Sequence, residues 1–187
     1  MTREELKIFK KIPTLKTERL TLRKINRSDI DDVYEYASDP AVSEFLLWYP
    51  HTAKSYTRAY LNEIDKRYKK AEFYDWGIVV DGKLIGTVGF TSFNIEENSA
   101  EIGYVISRLY WGLGITKEAA EKIIEFGFRE LALDKISARY IMGNEKSASI
   151  MKKCGMTKDD SKKEEMLVKG KIKTILKYTI RKEEYFK

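Results

Sequence analysis

The sequence is poor in residues that build covalent or metal-bound frameworks. Its 187 residues include one cysteine, Cys154, and one histidine, His51. A single cysteine makes no internal disulfide, and one of each makes no Cys/His metal cluster. Three prolines and 11 glycines exclude collagen-like and low-complexity chains. No apolar run approaches the ~20 residues of a membrane-spanning helix. Residues Met1 to Lys11 are charged and lack the apolar core of a secretory signal. These absences make a soluble cytoplasmic protein without metal the economical expectation.

What is present supports a packed core. Apolar residues make up 43% of the chain and aromatics 12%, and a chain of this length hides roughly 70% of its unfolded surface. With no internal repeat and no linker composition, residues 1–187 read as one domain. Lys+Arg number 35 and Asp+Glu 29, a net charge of +6. Such a balance suits a nucleic acid, a nucleotide or a phosphorylated cofactor, or is simply a solvated basic surface. Lysine is dense from Lys152 onward, but Asp159, Asp160, Glu164, Glu165, Glu183 and Glu184 interrupt it. That makes poor material for a nucleic-acid stripe.

Periodicity supplies the elements. Arg19 to Ile25 alternates as a half-buried strand does. Ser28 reads as the N-cap of a helix through Ala37, stopped at Asp39-Pro40. Phe45 to Pro50 is apolar and irregular. Thr52 opens a helix to about Ala71, with Tyr56, Tyr60, Leu61, Ile64 and Tyr68 at helical spacing. The period then becomes two. Tyr74–Val80, Lys83–Phe93 and Ala100–Ser107 read as an antiparallel meander, with Asp81-Gly82 as a tight hairpin turn. A long helix follows to about Leu133, and Lys135–Met142 returns parallel to the strand before it. A short helix, Lys146–Lys153, ends at Cys154-Gly155. Strands at Glu165–Val168 and Ile172–Ile180 flank a turn at Lys169-Gly170-Lys171.

The informative stretch is Tyr104 to Ala119. A strand runs into Gly112-x-Gly114, and a helix starts at once. The first N–H groups of a helix are unpaired and carry partial positive charge, so this arrangement fits a phosphate or pyrophosphate. Two glycines in a tight turn would read the same. Position 117 is Lys, so the full dinucleotide fingerprint is missing, and no Walker loop is present.

Ala100–Ile106 (AEIGYVI) followed by Tyr110–Ala119 (YWGLGITKEA) resembles the acetyl-CoA signature of the GNAT superfamily of N-acetyltransferases. Asn144-x-x-Ser147 and Lys153–Met156 (KCGM) resemble the next motif of that family. Thr17–Arg23 (TERLTLR) and Trp48–Thr52 (WYPHT) are similar to one branch, the ribosomal-protein N-terminal acetyltransferases. The resemblance spans about residues 13–185. It implies an α/β (α+β) fold, with a mixed, mostly antiparallel sheet whose central parallel strands splay, flanked by helices.

The resemblance also implies a site. Backbone at Tyr104, Val105 and Ile106 would pair with the amides of the pantetheine arm, as a peptide adds to a strand edge. Amides of Gly112, Leu113, Gly114, Ile115, Thr116 and Lys117 would hold the pyrophosphate. Asn144 and Ser147 would face the pantetheine and its thioester end, and Lys117, Lys152 or Lys153 would meet the 3′-phosphate. Trp48 and Tyr49 would line the acceptor cleft. The sequence departs from the family twice. Leu109 stands where the family carries Gln or Arg, and Met151 stands where many relatives carry a tyrosine that protonates the leaving thiolate. Ser147 becomes the candidate donor.

The implied reaction is direct attack of a primary amine on acetyl-CoA. Glu101 is the candidate base, directly or through water, or else a structural carboxylate. His51 is the weaker candidate. Glu44, Asp75, Glu96 and Glu97 look like ordinary loop and surface charges. Cys154 reads as a buried bystander. The acceptor is open. Branch resemblance favours a protein N-terminus; a polyamine, an amino-sugar or a free amino acid stays possible in principle, as does a non-catalytic acyl-CoA-binding module. GNAT relatives are often dimers, which makes a homodimer one expectation for this chain.

Overall fold

The computed structural model describes residues 12–70 and 74–187. The sequence of the first dozen residues suits a short helix or arm, and that segment lies outside the described residues, apart from Ile12. Strands β1 (Leu15–Lys16) and β2 (Thr21–Lys24) lead through a 3-10 turn, Arg27–Asp29, into helix α1 (Ile30–Ala37). Ser28 lies within that turn and does not cap the helix. Asp29 does the local work instead. Its carboxylate accepts the Asn26 N–H at 2.7 Å and two Arg23 nitrogens at 2.8 and 2.9 Å. Asp39 opens a single turn, α2 (Pro40–Ser43), by accepting the Ala41 N–H at 2.9 Å.

Helix α3 (Lys54–Lys70) buries Thr57, Leu61, Ile64 and Tyr68. That stripe excludes Tyr56, which is 60% exposed although its spacing suggested the core; it sits about 100° round the helix from Thr57. The meander is as periodicity predicts: β3 (Tyr74–Val80), β4 (Lys83–Asn94) and β5 (Ser99–Ile106), all antiparallel. A register shift between Phe90 and Ser92 leaves Thr91 as an extra residue in β4. Helix α4 (Ile115–Arg129) ends a turn earlier than the sequence suggests, with Ala132 at φ 50°. Leu131 and Leu133 are nonetheless buried in the loop that follows.

Strand β6 (Lys135–Ile141), helix α5 (Glu145–Lys153), β7 (Thr157–Val168), β8 (Lys171–Arg181) and a last turn, α6 (Lys182–Tyr185), complete the chain. The sheet order is β1-β2-β3-β4-β5-β6-β8-β7. β7 begins eight residues before its expected start, because an edge strand exposed on both faces needs no apolar alternation to mark it.

Alternation divides the central sheet into two faces. Trp76, Phe90 and Ile102 turn to the α4 side and are almost wholly buried; the rings of Trp76 and Phe126 stand 5.5 Å apart. Their neighbours Asp75, Thr87 and Gly103 turn to the side of α1 and α3. The central parallel pair is short. β5 and β6 are paired only from Ser99↔Lys135 to Ile102↔Ala138. Beyond that they diverge, while β5 keeps β4 as partner through Ile106. Gly86 lies so close to β5 there that a Cβ would strike the Val105 carbonyl and stand 2.8 Å from Ile106 Cα.

Candidate active site

The divergence of β5 and β6 opens a cleft of 680 Å³. Gly103, Tyr104 and Val105 form one wall and Asn144 and Ser147 of α5 face it, with Trp48 at the side of the irregular loop. Over Gly103–Ile106, the β6-facing edge of β5 has no strand partner among the described residues. A flat ligand with alternating amide groups fits such an edge.

The edge leads directly to the glycine loop. Gly112 and Gly114 have φ of 79° and 77°, a region costly for side chains, and no atom lies within 4 Å of a Cβ built at Gly112. The loop ends at the start of the 15-residue α4. Backbone can therefore approach a bulky anion closely, where the helix dipole favours it. The loop is anchored from below. Arg19 Nη1 donates to the Leu113 carbonyl at 2.9 Å, and Arg19 Nε pairs with Glu118 at 2.7 Å. Thr17 Oγ1 donates to the same carboxylate. The TERLTLR segment thus fixes the first turn of α4.

Asn144 caps α5, its Oδ1 accepting the Ser147 N–H at 3.2 Å. Ser147 Oγ lies 3.0 Å from the Tyr104 hydroxyl, which also reaches the Ser147 carbonyl at 3.1 Å. Burial, the larger effect, pushes the Tyr104 phenol above its ordinary range, against the hydrogen bond to Ser147. Met151 is buried, one turn along α5 from Ser147. A phenol does reach Ser147, that of Tyr104 on β5.

Two carboxylates and a histidine line the cleft. Glu101 Oε2 is paired with Arg139 Nε at 2.7 Å. Asp75 sits under α1 and α3, where burial pushes its carboxyl up to about 6 and Arg67 pulls the other way. Reading it as an ordinary surface charge is corrected by this position. His51 Nδ1 is 2.9 Å from Thr57 Oγ1, its ring 5.4 Å from that of Trp48, and burial pushes its pKa down. It is a neutral wall group near pH 7.

The expected site residues divide accordingly. Glu101, Tyr104, Val105, Asn144, Ser147 and Trp48 line the cleft. Ile106, at the end of β5, lends its carbonyl to the Trp111 indole N–H at 3.1 Å. Gly112, Leu113, Gly114, Ile115, Thr116 and Lys117 form the adjoining loop and helix start, Leu113 being 56% exposed. Tyr49 is not in the cleft. It is 66% exposed, with the Lys169 ammonium 5.6 Å from its ring centre. Lys117 is tied to Glu121 at 2.6 Å. Lys146, which spacing alone does not single out, places its ammonium 4.1 Å from the Trp111 ring centre, beside the glycine loop. Cys154 is buried, and its thiol is pushed up to about 12 by burial first and Glu121 second. Among the described residues no group of His, Cys, Asp and Glu could hold a metal ion. No helix among them is long and apolar enough to cross a membrane.

A sheet split at its centre, a strand edge bared at the split and a glycine loop at a helix start define an acyl-CoA-dependent transferase. Residues 19–157 match the acetyltransferase (GNAT) domain family, and the chain belongs to it. It is an acetyl-CoA-dependent N-acetyltransferase. A protein of Bacillus licheniformis named "Uncharacterized N-acetyltransferase p20" is 33% identical over 92% of this chain and 98% of its own. The crystal structure of a GNAT-family acetyltransferase from Bacillus anthracis is 25% identical and covers 91% of this chain and 99% of its own, with a TM-score of 0.79. A ribosomal-protein-S5-alanine acetyltransferase from Vibrio fischeri shares the fold at 20% identity and a TM-score of 0.78, over 93% of this chain and 99% of its own.

Proposed function

We propose that the protein acetylates a primary α-amine, that of a protein N-terminus, by direct attack in the cleft between β5 and β6. The observation that carries this reading is the pair of carboxylates, Glu101 and Asp75, inside a cleft with an aromatic side wall. A carboxylate is a weak base. It deprotonates an α-ammonium, with pKa near ~8, far more readily than a lysine-like amine near ~10.4.

The residues take these roles. The bared edge at Tyr104 and Val105 holds the pantetheine arm, and amides from Gly112 to Lys117 hold the pyrophosphate, with Lys146 beside them. Acetyl-CoA supplies an activated acyl group as a thioester. Strand N–H groups near Tyr104 steady the developing oxyanion. Ser147, hydrogen-bonded to the Tyr104 hydroxyl, returns a proton to the departing sulfur. Trp48 flanks the acceptor. A cytoplasmic reaction and a single domain over residues 1–187 belong to the same reading; a hydrophobic cluster that runs from Leu20 to Ile180 supports the single domain.

The test is thiol release from acetyl-CoA with peptides of free alanine or serine N-terminus, the same peptides with a blocked N-terminus, and spermidine. The free peptides should exceed spermidine at least tenfold in kcat/KM, and the blocked ones should be inert. Faster turnover of spermidine would overturn the acceptor. Acetyl-CoA binding with no thiol release from any amine would overturn the enzyme reading in favour of a binding module.

A further inference from the structure

We infer that Asp75, and not Glu101, takes the proton from the incoming ammonium; the assignment rests on the transfer reaction proposed above. The two carboxylates share one cleft but differ in what holds them. Glu101 is paired with Arg139 at 2.7 Å, and Thr91 Oγ1 lies 3.4 Å from its other oxygen. One of its oxygens is thus taken up by the guanidinium and the other lies toward Thr91. The Asp75 carboxylate has neither a hydrogen bond nor an ion pair within contact distance among the described residues; the bond from the Tyr68 hydroxyl goes to its backbone carbonyl.

Sheet register gives Asp75 its line to the reacting end. Asp75 pairs with Gly89, and Gly89 with Gly103. Paired residues point to the same face, so this row carries one carboxylate and then two positions without side chains. Gly103 lies two strands over, about 10 Å away at ~4.8 Å per strand, and the next residue is Tyr104 at the split. An ammonium seated over Gly89, beside the Thr91 methyl that lies over Gly103, meets the carboxylate directly or through a short chain of waters.

The groups around Asp75 leave it as the titrating member. Tyr36 faces it from α1, and Tyr60 and Tyr68 from α3, all phenols that burial keeps protonated. Arg67 of α3 is the cation that acts on it. His51 lines the same cleft from the loop as a neutral ring, and the Glu101–Arg139 pair closes the far side. Burial pushes the Asp75 carboxyl up to about 6. It is therefore ionised at pH 7, yet a stronger proton acceptor than an ordinary aspartate.

The step balances as follows. The Asp75 carboxylate takes one proton from R–NH3+, leaving a neutral amine. The nitrogen lone pair forms the C–N bond, and the C–S pair leaves with sulfur. The second proton shed by nitrogen balances the one sulfur gains through Ser147. Asp75 then returns its proton to water, so each turnover releases one proton.

The experiment measures kcat at saturating acetyl-CoA and amine from pH 5 to 9, by thiol release, for wild type, Asp75→Asn, Asp75→Glu and Glu101→Gln. Binding of CoA checks that each variant folds. Wild-type kcat should fall tenfold per pH unit below about 6. Asp75→Asn should lower kcat roughly 10²- to 10⁴-fold and abolish that limb, with CoA affinity kept. Asp75→Glu should recover part of the rate with the limb displaced. Glu101→Gln should retain the limb, whatever its rate. Loss of the limb in Glu101→Gln would overturn the assignment. So would an Asp75→Asn variant that raises KM for the amine but keeps kcat and the limb, since Asp75 would then only anchor a cation. Wild type that binds CoA but releases no thiol with any amine would instead sink the transfer reaction itself.

Discussion

Replacing Asp75 by Asn should make the protein more stable at neutral pH. The carboxyl ordinarily titrates at 3.8 and is pushed up to about 6 in the fold. The folded chain therefore holds a proton over a range in which the unfolded chain has released it. Stability from this group is complete below pH 4 and lost as pH rises through about 6. At ~1.36 kcal/mol per pH unit, the charged form costs at most about 3 kcal/mol above that range. Partial exposure of the side chain reduces this to about 2 kcal/mol. Asparagine keeps the shape and never carries the charge. Urea denaturation of wild type and Asp75→Asn at pH 8 and pH 4.5 checks the reasoning. The variant should gain about 2 kcal/mol at pH 8, or roughly 4–8 °C in Tm, and only about a third of that at pH 4.5. An equal gain at both pH values would show that charge burial is not the cause. A loss at pH 8 would show that the carboxylate is held by groups that favour its charge. The expected outcome, higher stability with lower activity, is the ordinary trade at a site built for chemistry.

Four further substitutions probe other parts of the site. Gly86→Ala drives a methyl into the Val105 carbonyl and should weaken CoA binding by more than about tenfold while lowering Tm, as overpacking typically costs ~1–3 kcal/mol; calorimetric titration and thermal melts read both. Ser147→Ala should reduce kcat by about 10²-fold with CoA affinity nearly kept, and Tyr104→Phe, which keeps the serine but removes its 3.0 Å partner, by roughly tenfold; steady-state kinetics separate the two. Arg19→Ala removes the ion pair with Glu118 at the start of α4 and the Leu113 tether. It should raise the CoA Kd by about three- to tenfold, chiefly through faster dissociation, which stopped-flow displacement measures.

The fold was legible wherever one face of an element is apolar. The meander, α4 and the parallel return of β6 follow from period two giving way to period 3.6 and back. Boundaries failed where burial does not set them. Thr157–Glu164 is strand because β8 beside it offers a hydrogen-bonding edge, not because of its own alternation. Ser28 looked like a cap because its type fits, but Asp29 also has Arg23 to satisfy and takes the position. In the site, local motifs announced the glycine loop and the Asn144–Ser147 turn, whose chemistry lies within a few residues. Asp75, Arg139 and Lys146 were not legible. Each acts through a partner far along the chain: Arg139 through Glu101, Lys146 through Trp111, and Asp75 through a register that runs across three strands. Tyr104 was legible as backbone, whereas its hydroxyl matters only once α5 folds back over β5.

The short pairing of β5 with β6 has a mechanical meaning. Among the described residues, four residue pairs, Ser99↔Lys135 to Ile102↔Ala138, are all that join β1–β5 to the block of β6, β8 and β7 through the sheet. The molecule is in effect two half-sheets with a zip closed at one end only. A ligand laid along Tyr104 and Val105 would close the open end, adding hydrogen bonds along an edge that has no strand partner among the described residues. At a hundred times its Kd, such a ligand stabilises the whole by ~2.7 kcal/mol, and this gain falls on the least tied part of the sheet. Amide exchange in the C-terminal half should therefore slow more than elsewhere when CoA binds. The same seam marks where the chain could be cut into two fragments whose reassembly reports the cosubstrate.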